Sequence, residues 1–242
     1  MMALVLAMLS VREVARRRVA VALLVTLPLW FYLARRDFTG QSVRMLTLGI
    51  GWSISTLTLF VVNGARGLDP RLRLTGASVP GIVGGRLLAM TGLGGLLGAA
   101  YWLLVAIDQR LPHPAAAGLM MLVTALVAAP VGNVLAALLP RELEGALALF
   151  SVVAVQMLAD PDGTVARLMP FWSARELAAY VVDGTGISDL WRALTHAALT
   201  WTLCSAGTLM LSDRRLRLAR YPEPPAPLGV RRRDPAGRQI VP

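Results

Sequence analysis

Apolar residues along this chain gather into six long runs, separated by segments rich in Arg, Pro and Gly. The runs cover 19–34, 45–62, 87–107, 115–139, 143–159 and 193–211. Each approaches the ~20 residues that a helix needs to cross ~30 Å of hydrocarbon. The pattern predicts an all-α integral membrane protein with six transmembrane helices. Pro28 and Pro130 fall inside the first and fourth runs and are expected to kink those helices.

Two further helices are expected outside the runs. Residues 2–18 mix Leu4, Leu6, Leu9 and Val11 with a late cluster of Arg. This composition suits an N-terminal interfacial helix, or else an extension of the first span into the cytoplasm. Between the fifth and sixth runs, Ser173 and Glu176 have the spacing of a capping box, flanked by Trp172 and Leu177 as a hydrophobic staple. A short outer helix is therefore expected to start at Ser173 and to end before Gly184-Thr185-Gly186. It either re-enters the outer leaflet or lies flat at the interface. The transmembrane domain covers 1–212. The tail, 213–242, is basic and Pro-rich and is expected to be disordered.

Composition agrees with lipid as the solvent. Of 242 residues, 56% are hydrophobic and 16% charged, and mean hydropathy is +0.61. A soluble domain would carry nearer a quarter charged residues. A net charge of +10 would suggest nucleic acid in a soluble protein, but here the basic residues lie between the apolar runs and at the ends. No nucleic-acid partner is implied. All 24 basic residues are Arg, which reads as the codon signature of a high-GC, bacterial genome. With the N-terminus inside, the inner segments hold sixteen Arg against six outside, or eight against six without the tail. The bias places both termini in the cytoplasm of a multi-pass plasma-membrane protein. The single cysteine, Cys204, lies within an apolar run and excludes an intrachain disulfide.

The missing motifs narrow the chemistry. Without Lys there can be no lysine-bearing phosphate loop. His113 and His196 sit on separate segments with no Cys or carboxylate cluster, which disfavours a metal. Asp160 and Asp162 belong to a Pro-Gly turn, and no Ser is framed as a nucleophile. The expectation is a chain that is not an enzyme and binds no cofactor of its own. The runs at 45–62, 87–107, 115–139 and 193–211 contain no Asp, Glu, Lys or Arg. Ion-coupled carriers usually need such groups, so any transport must draw its energy from a partner.

One inner segment carries a positive signal. Between the second and third runs the chain reads Asn63-Gly-Ala-Arg-Gly-Leu-Asp-Pro-Arg-Leu-Arg-Leu-Thr-Gly-Ala-Ser-Val-Pro, followed by Arg86, Leu87 and Leu88. A basic, Leu-punctuated stretch leading through a turn into a small-residue helix start resembles the cytoplasmic loop of type-2 ABC exporter permeases. Gly76-Ala77-Ser78 stands where that family has a Pro-Val-Ser-like turn. The six runs, the helix before the first and the outer helix after Pro170 are similar to the family's layout. The resemblance implies a permease subunit of a bacterial drug or antibiotic exporter, working with a second, identical or homologous permease, surrounding lipids and separate ATPase subunits that hold ATP–Mg. It also implies an ATPase-docking loop, in which Arg66, Asp69, Arg71 and Arg73 are exposed while Leu72 or Leu74 fills a cleft on the partner. Against this, the arginines can serve simply as topology markers that bind lipid phosphates. The resemblance further places the second and fifth spans beside a central path, where Ser53, Thr56, Phe60, Gln156 and Met157 would meet an amphiphilic substrate. Interhelical hydrogen bonding is the alternative role for those polar residues. Export of a lipid or lipid-linked glycan, and a non-transporting scaffold or assembly factor, are the rival functions.

Overall fold

The computed structural model describes residues 2–16, 18–160 and 163–217. The tail from 218 onward, where disorder was expected, lies outside the described residues, as does the Asp162 half of the aspartate pair. Every regular element among the described residues is helical: α1 (Met2–Arg16), α2 (Arg18–Leu33), α3 (Thr39–Gly64), α4 (Asp69–Leu74), α5 (Val79–Asp108), α6 (Pro114–Leu138), α7 (Glu142–Leu158), α8 (Thr164–Leu168), α9 (Trp172–Ala178), a π-helical turn (Ala179–Asp183) and α10 (Ile187–Arg215).

Six of these helices overlie the six apolar runs. Within α3, α5 and α6, the segments Gly40–Gly64, Val79–Asp108 and Pro114–Leu138 are long and apolar enough to cross a membrane. Helices α2 and α7, at 16 and 17 residues, reach only about 24–26 Å. Helix α10 is long but carries Asp189, Arg192, Asp213 and Arg214 toward its ends. Pro28 and Pro130 both lie inside continuous helices.

Helices α3 and α6 form the centre. Gly132 lets the two backbones touch, because a Cβ there would collide with the Ser55 carbonyl and sit 2.9 Å from the Thr58 Cβ. Beside this contact the Ser55 hydroxyl donates to the Ala128 carbonyl at 2.9 Å. Leu46, Ile50, Ile54, Met120 and Met121 are fully buried around it. Helix α7 packs on α3 and also touches α6, with Gly145 under Leu59 and the Phe150 ring 5.7 Å from Trp52. Its outward face, with Leu143, Leu147 and Leu158, is exposed.

Helix α2 packs on α3, where Gly49 meets the Pro28 backbone, and two tyrosines tie it to α5 in fixed register. Tyr101 donates its hydroxyl to the Val25 carbonyl and Tyr32 to Asp108, both 76 residues apart. Arg36 joins Asp108 through a hydrogen bond at 3.1 Å and an ion pair. Helix α1 lies along the opposite end of α5, where Gly85 faces the Ala3 carbonyl and the Leu6 Cβ, each 2.8 Å from where a Cβ would stand. Ala7 and Val14 are buried in that contact. Helix α1 is thus an element of its own before α2, packed lengthwise on α5. Glycine at 85 makes the close approach to α5 possible.

The segment after α7 dips into the bundle. Phe171 packs against Gly51 and Thr124, well inside α3 and α6, while Val182 packs against Gly40 at the start of α3. The chain therefore descends to Phe171 and climbs back through α9, antiparallel to α3. The capping box does not form. Helix α9 starts at Trp172 without a side-chain cap, the Ser173 hydroxyl is buried without a partner, and Glu176 is drawn to Arg192 at 3.0 Å. The expected end holds: Gly184 takes a left-handed φ of 66° and stops the π turn.

Candidate functional site: an arginine-rich platform

The chain between α3 and α5 folds into a tight corner. Asp69 and Pro70 open α4, placing a carboxylate and a ring with fixed φ where the first turn favours both. Gly76, with φ of 90°, closes it. Its amide donates to the Arg73 carbonyl at 3.1 Å and the Ala77 amide to the Leu72 carbonyl at 3.0 Å. This is a Schellman closure, completed by contact between Ala77 and Leu72. Arg73 reinforces it by donating to the Ala77 carbonyl at 2.8 Å. Ser78 then caps α5 by accepting from the Gly81 amide at 3.1 Å.

Asp69 is fully buried, contrary to its expected exposure. It accepts two hydrogen bonds from Arg86 on α5 and one from Arg215 at the end of α10. A carboxylate removed from water must be compensated by charge, and here two guanidiniums share the task. Arg66 is half-buried instead of exposed and donates to the Ala136 carbonyl of α6 at 3.2 Å. Burial, and secondarily repulsion from Arg215, hold its pKa below the usual arginine value. Arg73 is likewise half-buried because it closes the corner.

Of the loop's charged residues, Arg71 keeps its exposure. Leu74 is 75% and Leu68 54% exposed, while Leu72 packs inward against Ile82 and Val83. A largely apolar groove of 260 Å³ runs between α1 and α4, lined by Leu6, Leu9, Leu68 and Leu72, with Arg71 and Glu13 on its rim.

The five residues expected along a central path do not form one site. Ser53, Thr56 and Phe60 share a face of α3, and the buried hydroxyls of Ser53 and Thr56 have no partner. Gln156 and Met157 stand at the other end of α7. They line a pocket of 590 Å³ with Arg44, Arg175 and Asp183. Gln156 has a local task there, since its side-chain oxygen accepts the Phe171 amide at 3.2 Å. His196 is hydrogen-bonded as well, at 3.0 Å from the Arg167 carbonyl.

Sequence reasoning missed the Asp69–Arg86–Arg215 cluster. An acid surrounded by arginines in a short loop was the available signal. Its partners are 17 and 146 residues away, so no local spacing pointed to them. Among the described residues no cluster of potential metal ligands occurs. No family model matches the chain, and no curated protein matches it.

Proposed function

We propose that the chain is the membrane-spanning permease subunit of an ATP-driven exporter, moving hydrophobic or amphiphilic small molecules out of the cell. In this reading all six long helices cross the bilayer and both termini are cytoplasmic. A second, identical or homologous permease covers the exposed apolar face of α7, and a separate ATPase docks on α4. Leu74, projecting beside Arg71, is the apolar anchor, in place of the inward-packed Leu72. Substrate passes the Ser53–Thr56–Phe60 face of α3.

The observation that carries the proposal is the mechanical tie at Asp69. A helix that only marked topology would need no buried ionic link to the body. Here a push on α4 reaches α5 through Arg86 and α10 through Arg215, while the Schellman corner keeps α4 from yielding. The resemblance of this loop to the exporter family supports the same assignment.

The test is co-expression with a cognate ATPase, followed by co-purification and efflux assays. Arg71→Glu with Leu74→Asp is expected to abolish co-purification while leaving the permease folded. Undiminished association would refute the docking role. In a Cys204→Ser background, a cysteine placed at Leu74 should react with impermeant maleimide only after the cells are opened. Labelling of intact cells would invert the topology and remove the proposal.

A further inference from the structure

The inner ends of α3, α5, α6 and α10 enclose a cavity of about 140 Å³. That is about ten times the ~10–15 Å³ that one water requires. Its polar lining is Arg66, Asp69, Arg86, Asn133, Ser212 and Arg215. Three guanidiniums face one carboxylate, leaving two positive charges uncompensated within the cavity.

The donors exceed the acceptors too. Each guanidinium carries five N–H groups. Asp69 takes three hydrogen bonds and the Ala136 carbonyl one. Asn133, only 2% exposed, lines the same cavity, and its amide nitrogen has no partner. An unsatisfied buried donor is expensive, and it is out of place in a helix that is otherwise almost wholly apolar. Excess positive charge, surplus donors in planar forks and a small enclosed volume are the requirements for a tetrahedral oxyanion. Arg215 is 29% exposed, so the cavity is accessible on its side.

We propose that this cavity binds a phosphoanion, either inorganic phosphate or the headgroup of an anionic lipid, with Arg66 and Asn133 as the ligands that Asp69 leaves free. The anion completes the cluster and stiffens the junction of α4 with α5 and α10. The inference depends on the cavity alone and not on the transport reading, and its test needs no ATPase.

Full-length protein, purified in neutral detergent and stripped of lipid, is unfolded thermally while tryptophan emission is followed. Inorganic phosphate is titrated against chloride at constant ionic strength. In parallel, a short-chain phosphatidic acid is compared with the matching phosphatidylcholine. The expected result is a saturable rise in Tm with phosphate, with phosphatidic acid, or with both. A response to phosphate assigns the free ion, and a response to phosphatidic acid alone assigns the lipid headgroup. Arg66→Gln removes one guanidinium without touching Asp69 and should move the midpoint by about tenfold or more. Asn133→Asp installs a resident carboxylate of the same shape and should abolish the response, and it decides the matter if Arg66→Gln does not fold. Absence of a saturable response to either probe overturns the proposal. So does a midpoint that stays unchanged in the folded variants.

Discussion

Replacing Asp69 with Asn keeps the shape of the side chain and removes the charge on which the arginine platform is built. The Arg86 side chain is 9% exposed and Asp69 is fully buried. Neutralising Asp69 therefore strands a buried guanidinium, at about 3–5 kcal/mol. Arg215 is 29% exposed and can turn toward water, so its share is nearer the ~1 kcal/mol of a surface pair. The sum, about 4–6 kcal/mol, corresponds to a loss of roughly three to four powers of ten in the folding equilibrium. Equilibrium unfolding in mixed micelles, followed by tryptophan fluorescence, would measure it. The companion Asp69→Asn with Arg86→Gln removes both buried charges. It should be less damaging than the two single substitutions added together, with a coupling of about 1–3 kcal/mol. If Asp69→Asn costs less than about 1 kcal/mol, the cluster does not hold the platform. If the two substitutions are simply additive, the ion pair is not the reason for the cost.

Two further outcomes follow from particular contacts. Gly132→Ala places a methyl group on the Ser55 backbone. Overpacking of about 3 kcal/mol should outweigh the ~1 kcal/mol gained in helix propensity, so the unfolding midpoint in the same assay falls. A stabilised variant would refute the close contact of α3 and α6. Gln156→Leu leaves the Phe171 amide without its acceptor and should destabilise by about 1–3 kcal/mol, with faster proteolysis between 160 and 186. Gln156→Glu, which still accepts, should restore resistance; if both variants behave alike, the residue does not hold the loop.

The places where sequence and structure part company share a cause. Charge-free runs located α5 and α6 well, because lipid-compatible stretches announce themselves residue by residue. Ends were misplaced where an arginine sat near the start of a helix. Arg86 marked an apparent start near Leu87, yet α5 begins at Val79, since Asp69 compensates the arginine. Arg44 similarly hid the first turn and a half of α3, where it pairs with Asp183 from the dipping loop. The capping box failed for the same reason: Glu176 had a distant arginine to meet, and spacing along the chain does not reveal it. The path residues came from the resemblance, which sets the second and fifth spans beside a route, with polarity singling out Ser53, Thr56 and Gln156. Polarity does not distinguish a hydroxyl facing a route from a carboxamide that supports a neighbouring amide.

Helix α5 also carries a length standard. Arg86 and Asp108 bracket 21 uncharged residues, which separates the two charges by about 33 Å along the axis. Each is held from elsewhere in the fold: Arg86 by Asp69, which Arg215 also grips, and Asp108 by Tyr32 of α2 and Arg36 just beyond it. The distance cannot be adjusted by letting one side chain wander. In a bilayer much thinner or thicker than ~30 Å, either an ionic knot enters hydrocarbon or the whole bundle leans. For a helix long and apolar enough to cross a membrane, two charges fixed in this way would suit a hydrocarbon layer of about 30 Å, with both knots outside it.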